Sequence, residues 1–239
     1  MAVRRGTATP SAIFRGTVPV QKIMRGTVEV WSAKPPVSPT TLGAVHWLPF
    51  TPELTTDLGT QPRVWSTNGS MAGEDGALSA GVVQNPANTA YTPVAGCAMT
   101  YWVKNTRTIN ALGASALQAT ASFSEMSQSI NGQTRAVQWT FRRGATTAQN
   151  VYAGTVPRGE WTFIAACMEP VSGTTWRYRG YINGTQVVNN TYNAGTQHAV
   201  TFASATANSQ DGHVDDAAIY NRALTAEEIT ALYGVGRTS

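Results

Sequence analysis

Asp211-Gly212-His213-Val214-Asp215-Asp216-Ala217-Ala218-Ile219-Tyr220-Asn221-Arg222-Ala223-Leu224-Thr225-Ala226-Glu227-Glu228-Ile229 is the stretch from which the rest of the chain can be read. Its first half is a strand: Val214, Ala217 and Ile219 are placed to be buried, and the Asp-Gly pair before them is a turn signal. Its second half opens a helix. Thr225 is an N-cap, Glu228 completes a capping box three residues on, and Ile229 and Leu232, with Tyr233, supply an apolar stripe. Gly234 is expected to stop it. This is the one clear helix in the sequence, so the chain upstream is read as strands and turns.

Working back from it, short apolar or alternating runs recur at Ala44–Phe50, Val64–Ser66, Ala77–Val82, Cys97–Lys104, Thr108–Leu112, Leu117–Phe123, Ala136–Phe141, Gln149–Ala153, Trp161–Met168, Thr175–Ile182, Thr185–Asn190, Ala199–Ala203 and His213–Tyr220. Between them lie Asn131-Gly132, Arg158-Gly159, Ser172-Gly173 and Asn183-Gly184, which are hairpin signals when flanked by such runs. The composition agrees: 13% charged residues and 22 glycines in 239 residues exclude a coiled coil or a charged disordered tail. Many short strands with frequent turns predict an all-β fold, a two-sheet antiparallel jelly-roll sandwich with one short C-terminal helix. No run approaches the apolar length of a membrane helix, so no membrane insertion is expected.

Four segments carry a resemblance. The closing stretch, with its acidic pair running into Tyr220-Asn221-Arg222-Ala223-Leu224-Thr225, resembles the end of laminin-G-like, concanavalin A-like lectin jelly-roll domains. Gly159-Glu160-Trp161-Thr162-Phe163-Ile164-Ala165, Tyr181-Ile182-Asn183-Gly184 and Met99-Thr100-Tyr101-Trp102-Val103-Lys104 resemble three earlier strands of that family, in the right order. The resemblance implies a jelly-roll domain over 42–239 and makes Trp161, Asn183, Gly184, Asp215 and Asp216 its structural signature.

The N-terminal segment is different in kind. Residues 1–34 hold six basic side chains against the single acid Glu29. The remaining eleven basic and twelve acidic groups leave the body at −1 of the net +4. Val3-Arg4-Arg5-Gly6-Thr7, Ile13-Phe14-Arg15-Gly16-Thr17 and Ile23-Met24-Arg25-Gly26-Thr27 repeat with a period of ten. Each reads as a short strand, an Arg-Gly corner and another strand, so residues 1–33 form an extended β arm too poor in apolar mass for a core of its own. Lys34-Pro35-Pro36-Val37-Ser38-Pro39-Thr40-Thr41 reads as a stiff linker over 34–41. The arm resembles N-terminal segments of minor tail and other virion proteins of phages that infect actinobacteria. That resemblance implies a virion protein made in the host cytoplasm, and Arg4-Arg5 has no apolar run behind it to suggest a secretory signal. Arg5, Arg15, Arg25, Phe14, Met24 and Trp31 are the candidate contacts to other virion structural proteins by strand addition. A homo-oligomer is expected. The basic residues are too few and too interleaved with apolar ones for a nucleic-acid tail.

Little points to catalysis. A glycosidase needs two carboxylates flanking the sugar bond, and the close pairs here, Glu74-Asp75, Asp215-Asp216 and Glu227-Glu228, are adjacent residues that point apart on a strand. No Gly-x-Ser-x-Gly motif is present and histidine is scarce. No enzyme and no cofactor are expected. Asp215 and Asp216 are read as structural acceptors of backbone N–H groups near the helix; calcium is the alternative there and at Glu74-Asp75. Cys97 and Cys167, seventy residues apart, read as buried thiols. In the Thr175–Ile182 strand, Trp176, Tyr178 and Gly180 share one face and Arg177, Arg179 and Tyr181 the other. Trp176 and Tyr178 are the candidate contacts to a host cell-surface glycan. The function expected is a phage virion structural protein, a minor tail or capsid-decorating subunit displaying a lectin-like jelly roll. The alternative is a bacterial carbohydrate-binding module or lectin without a virion role.

Overall fold

A computed structural model describes residues 14–15, 18–19, 22–25, 28–32, 37–50, 56–62, 64, 66–67, 78–79, 82–84, 96–106, 112–113, 115–121, 124–131, 134–143, 149–193, 204–209 and 212–237. The chain divides into two compact units, Met1–Pro36 and Val37–Ser239. In the first, β1 (Phe14–Arg15) pairs antiparallel with β2 (Val18–Pro19), and β3 (Lys22–Arg25) with β4 (Val28–Ser32). Arg15 stands opposite Val18 and Arg25 opposite Val28. The first repeat lies outside the described residues.

The second unit contains β5 (His46–Leu48), β6 (Ser66–Thr67), β7 (Leu78–Ser79), β8 (Val82–Gln84), β9 (Cys97–Asn105), β10 (Leu112–Gly113), β11 (Ser115–Ala121) and β12 (Ser124–Asn131). There follow β13 (Ala136–Arg143), β14 (Gln149–Thr155), β15 (Trp161–Ser172), β16 (Thr175–Ile182), β17 (Thr185–Asn193), β18 (Ser204–Ser209), β19 (Gly212–Tyr220) and α1 (Ala226–Val235). They form two antiparallel sheets. Sheet I runs β14-β13-β12-β11-β18-β8-β6, with β10 beside β12; sheet II runs β17-β16-β15-β9-β19-β5, with β7 beside β19. This is the two-sheet jelly-roll architecture, with one short C-terminal helix among the described residues.

Sheet II is covered on both faces, and the sequence of β15 shows why. Ile164, Ala166 and Met168 turn toward sheet I, where they meet Trp139, Phe141, Met126 and Ile130 in the inter-sheet core. Phe163, Ala165 and Cys167 turn the other way, into a second cluster roofed by Leu224, Ile229 and Leu232. A strand buried on both sides reads as a continuous apolar run rather than an alternation. Gly180 of β16 lets the sheets approach: a Cβ there would sit 3.0 Å from the ring of Trp139, whose Nε1–H donates to the Ala153 carbonyl at 2.8 Å.

The helix starts as its sequence dictates. Glu228 N–H donates to Thr225 Oγ1 at 3.2 Å, and Thr225 N–H donates to Glu228 Oε2 at 2.8 Å. Its end differs from expectation. The helix runs through Gly234 and stops at Gly236, which takes φ 83° and donates its N–H to the Tyr233 carbonyl. Only the second of the two glycines takes a positive φ, with ψ −170°, a region open to glycine for want of a Cβ.

The supposed linker also needs correction in its second half. Leu42 N–H donates to the Ser38 carbonyl and Ala44 N–H to that of Pro39, while Val37 and Leu42 pack on the outer cluster of sheet II. Residues 37–41 are therefore a folded part of the sandwich, held by their own turn and by apolar burial.

Candidate functional site

The end strands β14 of sheet I and β17 of sheet II lie on the same side of the sandwich, and there the sheets part. Between them is a cleft of about 360 Å³ lined by Phe141, Gln149, Val151, Tyr178 and Asn189 to Tyr192. Its floor is aromatic. Phe141 and Tyr178 stack across the two sheets with centroids 4.8 Å apart and rings 4° from parallel, and Tyr192 tilts against Tyr178 at 5.9 Å. Register explains the rim: Asn190 stands opposite Tyr178 and Tyr192 opposite Trp176 on β16–β17. Asn189, Asn190 and Thr191 are exposed and Gln149 is half-buried. Among the described residues no charged side chain lines the cleft. Phe141 and Tyr178 are buried against each other, so half-buried Tyr192 supplies the aromatic face, which beside uncharged amides suits the C–H face and hydroxyls of a sugar.

The two aromatics singled out in the sequence fall into different positions. Trp176 is 2% exposed and is packed in the inter-sheet core, so the expectation that it offers a surface contact is corrected: sheet I covers its face. Tyr178, 1% exposed, belongs to the same core but also lines the cleft. The rim of β17 and the contribution of β13–β14 were not anticipated, because they depend on which strand ends meet across the two sheets.

The signature residues are structural in their geometry. Asn183, at φ 50°, and Gly184, at φ 75°, make the turn of the β16–β17 hairpin. Asn183 Oδ1 accepts the Phe163 N–H at 2.9 Å and its own N–H donates back to the Phe163 carbonyl at 2.9 Å. Asp215 is fully buried. It accepts the Asp216 N–H on Oδ1 at 2.8 Å and the Arg237 Nε–H on Oδ2 at 2.9 Å. Arg237 lies over Trp161 with its guanidinium carbon 3.8 Å from the ring centroid, which ties the segment after α1 to β15 and β19. Asp216 accepts the Trp47 indole N–H at 3.2 Å. Asp215 thus accepts one backbone N–H, as expected, while the other donors to the pair are side chains of β5 and of the post-helix segment.

One buried pair escaped the sequence reading. His46 Nδ1 and Asp57 Oδ2 are 2.7 Å apart, and Asp57 Oδ1 accepts the N–H groups of Trp47 and Gly59 at 2.9 Å each. It pins the 56–61 loop onto β5. Among the described residues no three His, Cys, Asp or Glu side chains converge as a metal site. Glu74-Asp75, like Arg5, lies outside the described residues. Phe14 and Arg15 are on β1, Met24 and Arg25 on β3, and Trp31 on β4.

No curated protein matches the sequence significantly. Solved structures do match in fold. The receptor-binding domain of the botulinum neurotoxin C/D mosaic aligns over 81% of this chain and 51% of its own, with a TM-score of 0.62 at 11% identity. The serotype D binding domain aligns over 82% and 52%, with a TM-score of 0.60 at 12% identity. A structure of botulinum neurotoxin type C, whose cell entry is described as dependent upon interaction with two ganglioside molecules, aligns over 82% and 51%, with a TM-score of 0.59 at 13% identity. The chain thus spans about half the length of these proteins. Residues 73–230, which hold every long strand of both sheets, match a laminin G family model, and the chain belongs to the concanavalin A-like lectin/glucanases superfamily.

Proposed function

We propose that this chain is a phage virion structural protein, a minor tail or capsid-decorating subunit, whose arm joins other virion proteins and whose jelly roll binds a host cell-surface glycan without cleaving it. The observation that carries the binding half is the β14–β17 cleft, with its stacked Phe141–Tyr178 floor, Tyr192 beside it, and an uncharged rim of Asn189, Asn190 and Thr191. The ganglioside named for one toxin neighbour, and the SialylT complex of the toxin type DC binding domain, support a glycan as ligand class. Four of the described carboxylates are engaged in ion pairs, which supports binding over hydrolysis: Asp57 is held by His46, Glu169 by Arg177 and Arg179, Asp215 by Arg237 and Glu228 by Arg222. The anchoring half rests on the basic decapeptide repeats and their hairpins β1–β2 and β3–β4.

Two measurements test the halves separately. On a glycan array, the full chain should bind a discrete set of saccharides, and Tyr192→Ala with Asn190→Ala should remove that signal while leaving the circular dichroism spectrum intact. Binding unchanged by the double variant would refute the cleft. Deleting residues 2–33 should leave a soluble jelly roll that fails to join particles in a complementation assay. A truncated chain that still assembles would refute the arm as anchor and favour a free carbohydrate-binding module.

A further inference from the structure

Which saccharides the β14–β17 cleft admits is narrowed by the strand registers. Val188 of β17 and Val151 of β14 pack with the inter-sheet core, so alternation along each strand turns Asn190, Tyr192 and Gln149 to the same inner side. Gln149 stands opposite Phe141 on β13, and Asn190 opposite Tyr178 on β16. Phe141 and Tyr178 stack on each other at 4.8 Å. Each sheet therefore sets one carboxamide at the flank of the same ring pair, Gln149 half-buried and Asn190 exposed. Tyr192 adds its half-buried ring beside Tyr178.

Charge is arranged away from this inner side. Arg177 and Arg179 stand opposite Thr191 and Asn189, the outward positions of β17, and both pair with Glu169. Arg142 and Arg143 close β13 beyond Phe141, in register with Glu125 and Ser124. Residues 144–148, which precede β14, contain no charged amino acid, and residues 194–203, which follow β17, hold His198 as their one titratable side chain.

A carboxamide offers two N–H donors and a carbonyl acceptor without charge, and a sugar hydroxyl both donates and accepts. Two carboxamides facing one recess can thus answer neighbouring hydroxyls in either sense. A carboxylate or sulfate entering the same recess would exchange water for neutral donors, beside carbonyl oxygens of like partial charge, and a desolvated charge without a counter-charge is costly. We infer that the cleft selects neutral saccharides and excludes acidic ones, with Gln149 and Asn190 reading hydroxyls while Tyr192 covers the C–H face. This selectivity presupposes the glycan reading and sharpens it. At about 360 Å³ the cleft lies near the lower end of the roughly 300–1,000 Å³ usual for small-molecule sites, so the charge that matters is one on the terminal sugar.

The test places the full chain on an array of neutral oligosaccharides printed beside the same structures carrying a sialic acid, sulfate or uronate at the terminal position. In each bound pair the neutral member should bind at least about tenfold more tightly, the scale of a polar group left unsatisfied. Its affinity should also hold from low to high salt. Asn190→Lys, at an exposed position, and Gln149→Lys, from the other sheet, should each lower the neutral-to-acidic ratio by about tenfold, the scale of one hydrogen bond to a charged group. The circular dichroism spectrum should not change. Equal or tighter binding of the acidic members by the parent would overturn the selectivity and leave the glycan reading standing. A ratio untouched by both lysine variants would overturn the assignment of selectivity to the two carboxamides. Binding to no saccharide at all would overturn the glycan reading, and the selectivity with it. Should neither lysine variant bind, the parent's ratio and its salt response decide the matter alone.

Discussion

Gly180→Ala is the sharpest perturbation of the packing that sets the spacing of the two sheets. The glycine needs no left-handed backbone, so an alanine is conformationally admissible, and the substitution would ordinarily stabilise by about 0.4–1 kcal/mol through the unfolded chain. Sterics reverse the sign. The new Cβ would lie 3.0 Å from Cδ2, Cε3 and Cζ3 of Trp139, against an optimum of about 3.5–4.0 Å. Trp139 is fully buried, and moving it strains its 2.8 Å bond to the Ala153 carbonyl. Overpacking of this kind costs about 1–3 kcal/mol, and a weakened buried hydrogen bond adds roughly 1 kcal/mol. After the unfolded-state gain, a net loss of about 2 kcal/mol remains, or about 4–8 °C in Tm for a domain of this size. Urea denaturation followed by tryptophan fluorescence reads it directly. In a Trp139→Phe background, which shortens the ring system at the contact, the same Gly180→Ala change should cost less than half as much. A neutral or stabilising Gly180→Ala, or an equal cost in both backgrounds, would refute the claim that this glycine exists to admit the Trp139 ring.

Two further outcomes follow from the helix and the core beneath it. The Arg222 guanidinium, bonded to both carboxylate oxygens of Glu228 at 2.8 Å, holds that carboxyl below its ordinary value of 4.5. A depressed folded-state pKa gives stability that is complete above the unfolded value and disappears as pH falls through the folded one. Thermal stability should therefore decline below about pH 4.5 in the parent and less steeply in Glu228→Gln, measured by scanning calorimetry from pH 3 to 7; equal slopes would contradict the pairing. Burial pushes the Cys167 thiol up to about 11, so its thiolate is scarce at neutral pH and sterically shielded. An aromatic disulfide reagent at pH 8 should leave Cys167 unmodified until denaturant is added, and prompt labelling of the native protein would show the roof formed by Leu224 and α1 to be open.

The parts legible in the sequence were those in which local signals and burial coincide. The capping box at Thr225 and Glu228, the Asn183-Gly184 turn and the long apolar run of β15 each announce their structure within a few residues. Strand β12 was not expected, because its inward positions are Met126, Gln128 and Ile130: a buried amide in the middle erases the apolar alternation. The face division of β16 was read correctly, with Trp176 and Tyr178 on one side and Arg179 and Tyr181 on the other, yet the outward side could not be chosen. Both sides are covered, one by sheet I and one by the Leu224–Leu232 roof, and a strand with two buried faces carries no sign of which is which. The His46–Asp57 pair joins a strand to a loop and follows no spacing rule. The cleft is harder still, since it exists only where strands from two sheets end side by side.

The same double coverage of sheet II narrows where a ligand can reach. Its inner face is filled by Trp139, Phe141 and their neighbours, and most of its outer face by α1 and residues 37–44. Arg179, which might otherwise present charge beside β17, donates to Tyr181 Oη and to the Leu224 carbonyl and pairs with Glu169. Arg177 is likewise engaged by Glu169 at 2.8 Å. The charges of β16 are thus directed onto the outer face and into one another, and the described lining of the cleft on the inner side is aromatic, amide, hydroxyl and aliphatic. An uncharged recess of that kind gains little from electrostatic steering, and its discrimination must come from hydrogen-bond geometry and ring stacking. Such contacts are individually weak, so the proposed display of many copies on one particle would be the setting in which they become effective.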